Sequence, residues 1–480
     1  MKRIYLFSLL TLFIMAWNLG GYVHPDEHFQ ILEFAGNKLN LTEQANLPWE
    51  FHHQMRPALQ PAMVVVIYRF FNLFGTPDPF FIAFILRVLS ATVSFLGMWL
   101  IYKAYETEFR NDTLRRWFLN LSFFLWFLLL INVRFTSETW SGSTFLIAFA
   151  YLKLKLPRLM LHDYFIAGLL LGVSFLFRYQ AALFFIGAGL WLLIVWRAPI
   201  YRMIILISGI AVVFISGLLI DRWFYGKWTV TAWNYFQQNI LFDKVSGFGL
   251  EPWWFYIQST FFEGIPPFSL VYIAALILFF IFRRKDFITW TLLPFVAVHF
   301  FIGHKEMRFL FPILGFLPVV IIKSIDLMSE TRKQDFLAYK PVKYFAKIFW
   351  SANLVMVAVV MVVPVDTETK LFQKIYRDYP SATTLYFVNE NPYHRALDIH
   401  FYKRKNLTIE KVDSIEQIKI VSGRTSLVVT RTNPEIEGLR LTRKLIYCNF
   451  SDWINHFNFN HWIERTHFWY VYELTPTPVP

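Results

Sequence analysis

About eleven apolar runs, separated by short polar loops, constrain this chain more tightly than any other feature of its sequence. In hydrocarbon a backbone must satisfy its own N–H and C=O groups, so such runs are helices. They fall at 4–19, 80–102, 117–133, 139–152, 163–177, 181–196, 203–220, 266–282, 287–303, 309–323 and 348–364. Composition agrees: of 480 residues 56% are hydrophobic, 20% aromatic and only 16% charged, the profile of a polytopic membrane protein. The formal charge of +13 would otherwise suggest a nucleic-acid partner. Here the Lys and Arg sit in short loops between apolar runs, so no nucleic acid is expected.

Lys2 and Arg3 precede the first run, and no small-x-small cleavage site follows it, so an uncleaved helix with a cytoplasmic N-terminus is expected. Every strongly basic loop then falls on the cytoplasmic side. These hold Arg110, Arg115 and Arg116; Lys153, Lys155 and Arg158; Arg197 and Arg202; Arg283, Arg284 and Lys285; and a stretch ending near Lys347. The mixed motifs HPDEHFQ, RFTSET, RYQ, DRWFYG and HKEMRF all fall on the outer side. An apolar piece at 58–74, broken by Pro61 and Arg69, is short for a span and fits an interfacial or re-entrant helix. The second outer loop, 221–265, is rich in the Trp and Tyr that anchor at membrane interfaces.

From about 366 the pattern changes. TLYFV, LTIEKV, TSLVVTR, LIYCNF and FWYVYEL read as short strands between polar stretches. The expected architecture is an all-α polytopic membrane domain, 1–365, whose first outer loop is 21–79. A small α/β domain on the outer face, 366–480, follows it. The lone Cys448 excludes an intramolecular disulfide and has no metal-site spacing.

The first outer loop opens with His24-Pro25-Asp26-Glu27-His28-Phe29-Gln30. Pro25 suits the first turn of a helix, and Asp26 and Glu27 then meet the positive end of its dipole. Helical spacing would put Asp26, Gln30 and Glu33 on one face. A helix start that favours acids explains part of this, but adjacent carboxylates also suit general-base work, since repulsion raises one pKa. Lys305 and Arg308 could merely snorkel at a span end, or could clamp phosphate. Moving a sugar from a lipid phosphate to an alcohol needs both a base and a phosphate clamp. His24, His28, Gln30, Arg56, Glu138, Arg178, Asp221 and Glu306 stand at outer span ends or in the outer loops, as further candidate substrate contacts. Of these, Arg178 runs against the positive-inside bias, and Asp221 could simply pair with Arg222.

HPDEHFQ after the first span, with HKE-x-RF at the exit of a late one, resembles the family 22 glycosyltransferases. The likeness is closest to the GPI-anchor mannosyltransferases that add the third and fourth mannoses. DRWFYGKW, NYFQQN and EPWWFYI resemble further stretches of that family. RFTSET matches its Arg…Ser-Asn…Glu element without the Asn, and FRYQAAL its Arg-Pro-x-x-Ala element with Tyr179 in place of Pro. The resemblance covers about 20–325. It implies a GT-C fold and a polyprenyl-phosphate sugar donor, usually dolichyl-phosphate mannose. It also implies a glycan or glycolipid acceptor, inversion at the anomeric carbon, and no nucleotide, metal or other cofactor. Carried over, Asp26 is the base and Glu27 its partner, while Lys305 and Arg308, with His304 nearby, bind the donor phosphate. A polyprenyl-phosphate transferase of another sugar, arabinosyl or hexosyl, and a polytopic lipid or solute transporter are the alternatives. Short loops and the lone cysteine suggest a bacterial inner membrane, or the endoplasmic reticulum in a eukaryote, with the active side outer or lumenal.

Overall fold

The computed structural model describes residues 2–332, 335–388, 390–418, 420–431, 441–450 and 468–476. The chain divides into two compact units. One comprises Met1–Asn18, Glu50–Met63 and Phe84–Val363; the other comprises Leu19–Trp49, Val64–Ala83 and Pro364–Pro480. The boundary expected at 365 lies close to the last junction. The second unit also takes in most of the first outer loop, which the sequence reading gave to the membrane domain.

In the first unit the apolar runs are helical but of unequal length. Pro79–Glu108, Ile200–Tyr225, Met307–Thr331 and Lys340–Val362 are each long and apolar enough to cross a bilayer, making the chain an integral multi-pass membrane protein. Asp112–Phe124 and Trp126–Asn132 form a further broken span bent by 45°. Leu161–Phe177, Tyr179–Ile194, Phe268–Phe282 and Phe287–Phe301 are shorter apolar helices. Among the described residues four helices, or five with the bent pair, have by themselves the length and composition of a span, against the eleven apolar runs of the sequence. The reason is that polar or proline-bearing breaks, such as Arg178, Pro199 and Pro267, stop runs short of roughly 20 residues. At the bend, Asn353 repairs the backbone: its Oδ1 accepts from the Trp126 amide at 3.0 Å and its Nδ2 donates to the Phe124 carbonyl at 2.7 Å. A helix break in hydrocarbon persists only where such partners exist.

The Ser137–Lys155 helix is buried along most of its length and is capped by Thr136, whose side chain accepts from the Thr139 amide. Small polar residues fasten it to its neighbours: Ser143 to Ser94 at 2.7 Å, Ser141 to Ser174 at 3.1 Å, and Trp140 Nε1 to Ser90 at 2.8 Å. Stacked rings at 4.2 to 4.3 Å between centroids (Phe145 on Phe184, Phe184 on Phe295) fill the space beside it. Gly142 lets the 3₁₀ turn Met307–Phe316 lie directly on this helix, since a Cβ at Gly142 would come 2.6 Å from Pro312 Cα. Both partners are backbone, so neither can yield cheaply. Gly142→Val is therefore expected to cost about 1–3 kcal/mol by overpacking. The midpoint of thermal unfolding in detergent checks this, and an unchanged midpoint would contradict the seating of the turn.

The second unit carries a five-stranded sheet in the order β2-β1-β3-β5-β4, where β1 is Thr383–Phe387, β2 Leu407–Lys411, β3 Thr425–Thr430, β4 Leu441–Cys448 and β5 Tyr470–Pro476. β1 runs parallel to β2 and β3, and β5 runs antiparallel to β3 and β4. These are the five stretches expected as strands. The helix Glu368–Asp378 precedes them and buries Leu371, Phe372 and Ile375 along one face. The connections at 432–440 and 451–467 lie outside the described residues.

Candidate active site

Pro25 opens a single helical turn, Pro25–Glu27, with His24 as its N-cap: Nδ1 accepts from the Asp26 amide at 3.2 Å. The chain then widens into a π turn, His28–Leu32, before the helix Glu33–Lys38. That widening defeats the spacing expected to bring Asp26, Gln30 and Glu33 to one face. Asp26 keeps 25% of its side chain exposed and Gln30 is half-buried, whereas Glu33 is 1% exposed. The adjacent carboxylates also differ. Glu27 is buried, and its Oε2 accepts from the Val23 amide at 3.2 Å. His28, a candidate substrate contact by sequence, is 1% exposed and faces Glu33.

The residues before the motif rest on a carboxylate pair that the sequence reading did not single out. Gly21 has φ +88°, and a Cβ there would come 2.2 Å from Asp366 Cβ. Asp366 and Glu368 are buried, Arg395 pairs with both, and Trp469 Nε1 donates to Glu368 at 3.1 Å. Burial and the neighbouring Glu368 push Asp366 up from 3.8 to about 7. Glu368, despite its burial, is lowered from 4.5 to about 2 by its hydrogen bond with Asp366 and the charge of Arg395. A raised carboxyl contributes stability that is complete below its unfolded pKa and is lost as pH climbs through its folded one. The wild type should therefore lose stability through Asp366 as pH rises from about 4 towards 7. Asp366→Asn should abolish that slope; unfolding midpoints at pH 5 and 8 decide it, and equal slopes for both proteins would refute it.

In the first unit five expected residues form one network. Glu138 Oε1 accepts from Arg178 at 2.6 Å and from Arg308 at 3.2 Å. Arg308 also holds Glu306 through two bonds, Nε to Oε2 at 2.6 Å and an Nη to Oε1 at 3.1 Å. His304 Nε2 lies 3.1 Å from Glu306 Oε1. Both guanidinium groups stand over the Phe309 ring, at 5.1 and 5.3 Å from its centroid. The Met307–Phe316 turn, seated at Gly142, is what carries Arg308 to Glu138. Lys305 is 5% exposed, and its ammonium donates to the carbonyls of Glu251 at 2.9 Å and Ile302 at 2.5 Å. Burial holds that ammonium below the usual lysine range. Glu251, whose carboxylate acts on Lys305, stands beside Glu138 and Glu306, so three cations here meet three carboxylates, and the guanidinium and ammonium groups are the ones that could meet an anionic ligand.

Asp221 and Arg56 belong to a separate cluster. Asp221 is buried and accepts from the Ala58 amide at 2.8 Å and from Thr231 at 2.6 Å, while Tyr179 donates to Thr231 at 2.5 Å. These bonds fasten the outer loops, and Asp221 is not paired with Arg222, whose guanidinium lies 4.3 Å from the Trp228 centroid. Arg56 sits 3.7 Å from Glu50 and 5.7 Å from the centroid of Tyr235, to which Gln180 donates at 2.6 Å. Sequence reasoning missed Thr42, the Asp366–Glu368–Arg395 group and the Thr231–Tyr179 link, and it grouped Glu33 with Asp26 where the structure sets it against His28 and Thr42.

A family profile, the Alg9-like mannosyltransferase family, matches residues 4–405. GPI alpha-1,2-mannosyltransferase 3 of Bos taurus is 26% identical over 314 residues, covering 64% of this chain and 56% of that protein. Mannosyltransferase APTG1 of Arabidopsis thaliana is 24% identical over 330 residues, covering 67% of this chain and 58% of that one. The chain thus spans little more than half the length of these relatives. Among solved structures, ArnT from Cupriavidus metallidurans bound to undecaprenyl phosphate aligns over 98% of this chain and 97% of its own, with a TM-score of 0.52 and 13% identity. That likeness gives the GT-C fold expected from the sequence. The family match extends past both ends of the 20–325 stretch on which the resemblance was seen, through the first strand of the sheet and up to the second. On a match of this extent, the chain belongs to the Alg9-like mannosyltransferase family.

Proposed function

We propose that this protein is a membrane glycosyltransferase that moves a sugar, mannose, from a polyprenyl-phosphate donor to a glycan or glycolipid acceptor with inversion. Family membership supports the sugar, and the fold shared with an undecaprenyl-phosphate-bound ArnT supports a lipid-phosphate donor. The observation that carries the reading is the asymmetry of the motif carboxylates: Asp26 is a quarter exposed, whereas Glu27 is folded back onto the Val23 amide. Asp26 is accordingly assigned the acceptor's hydroxyl proton and Glu27 the shape of the loop. Arg308 and Lys305 are assigned the charge of the leaving phosphate, which arginine and lysine can offset without a metal. The active side is taken as outer or lumenal, opposite the basic loops, in a bacterial inner membrane or an endoplasmic reticulum.

The test uses purified protein in detergent with radiolabelled polyprenyl-phosphate mannose, the arabinosyl and glucosyl donors beside it, and a panel of glycan and glycolipid acceptors. Transfer from the mannosyl donor that survives chelator and is impaired by Arg308→Ala supports the reading. Transfer from another donor alone replaces mannose with that sugar. No transfer from any donor refutes the enzyme.

A further inference from the structure

The buried carboxylate of Glu33 has no part in the chemistry above, yet it is surrounded entirely by donors. Its Oε1 accepts from His28 Nε2 at 2.8 Å and from the backbone amides of His400 at 2.8 Å and Phe401 at 3.0 Å. Its Oε2 accepts from the Thr42 hydroxyl at 2.5 Å. Burial would raise this carboxyl, but the bonds from His28, Phe401 and Thr42 outweigh it and hold it below the usual range. Four donors and no acceptor need an anion; a neutral acid would leave one of them facing a proton.

The geometry points outward from Glu33 in two directions. Towards the motif it reaches His28, the first residue of the π turn that follows Asp26 and Glu27. The His28 ring lies 5.6 Å from Tyr22 and 5.3 Å from Tyr402, centroid to centroid. Towards the C-terminal segment it reaches three consecutive residues that all grip this loop. His400 gives its amide to Glu33, and its ring Nε2 accepts from Asn46 Nδ2 at 3.2 Å; Phe401 gives its amide; Tyr402 stacks on Phe80 at 4.7 Å as well as facing His28. The family match ends at 405, just after this segment and before β2.

We propose that Glu33 is a positioning residue for the motif: it fixes His28, and with it the turn presenting Asp26 and Glu27, against a strap formed by His400, Phe401 and Tyr402. The strap is thereby a working part of the transferase, although it lies some 370 residues away in sequence. The inference rests on the activity proposed above. Glu33 touches no substrate, so its loss lowers kcat and leaves KM nearly unchanged.

Two variants of His28 separate positioning from packing. His28→Gln retains a nitrogen donor at about the reach of Nε2, and His28→Phe retains the ring between Tyr22 and Tyr402 but cannot donate. His28→Gln is expected within about threefold of wild-type kcat. His28→Phe and Glu33→Gln should fall by about tenfold or more, with KM for donor and acceptor unmoved. Full activity in His28→Phe, or a Glu33→Gln defect carried by KM, overturns the proposal. Hydrogen exchange gives a readout independent of turnover: Glu33→Gln should speed exchange in 25–32 and 399–402 and leave 317–332 unchanged. Unaltered exchange in the first two segments also overturns it. If the wild type transfers no sugar at all, the activity has failed, and the exchange result alone decides whether the strap holds the motif.

Discussion

If the proposed transfer holds, Asp26→Asn is expected to lower it by about 10²–10⁴-fold, the range general-base catalysis commonly supplies. The substitution is nearly isosteric, and the His24 cap on the Asp26 amide uses backbone, so the helical turn Pro25–Glu27 should survive it. The loss should therefore appear in kcat at a constant KM for the donor, since the role assigned to the carboxylate is to take the acceptor's proton as the transition state forms. Glu27→Gln should behave differently. Its Oε2 accepts from Val23, an interaction that an amide oxygen can keep, so a milder loss is expected. Single-turnover transfer from preloaded donor measures both. A large loss in Glu27→Gln with near-normal Asp26→Asn would reverse the assignment, and equal losses would show that the pair acts as a unit.

The fold and the candidate site were not equally legible in the sequence. The apolar runs were, because lipid demands a length and a composition that any reading of hydropathy sees. The strands after 366 were, because alternation in stretches such as TSLVVT survives in a half-buried sheet. Glu138, Arg178 and Arg308 stood out singly as charges at outer span ends. Their pairing across 40 and 170 residues needed the close approach at Gly142, which a lone glycine in an apolar run does not announce. Glu33 was harder still. Two of its four donors are the backbone amides of His400 and Phe401, and a backbone amide carries no residue signature. The π turn hid it further, since helical spacing grouped Glu33 with Asp26 when the backbone separates them. Asp366 and Glu368 carry no motif in the sequence, and only their burial beside Gly21 and Arg395 distinguishes them.

Glu138→Ala is expected to be among the most destabilising single changes in the first unit, at about 3–5 kcal/mol. The carboxylate is 3% exposed and holds two guanidinium groups through one oxygen. Arg308 would keep Glu306, but Arg178 is 6% exposed and its remaining hydrogen bond is a long one, 3.3 Å to Ser137 Oγ. An almost unpaired guanidinium among apolar helices is the costly outcome, more than the loss of attraction itself. The converse follows from the same physics. Replacing both partners, Glu138→Leu with Arg178→Met, removes the stranded charge along with the pair and should cost far less than the sum of the single changes. Unfolding midpoints of the four proteins in detergent give the coupling directly. A mild Glu138→Ala would mean that water reaches Arg178 and the cluster is not sealed. A stable double variant that still fails to transfer sugar would show that the pair matters to activity beyond its part in stability.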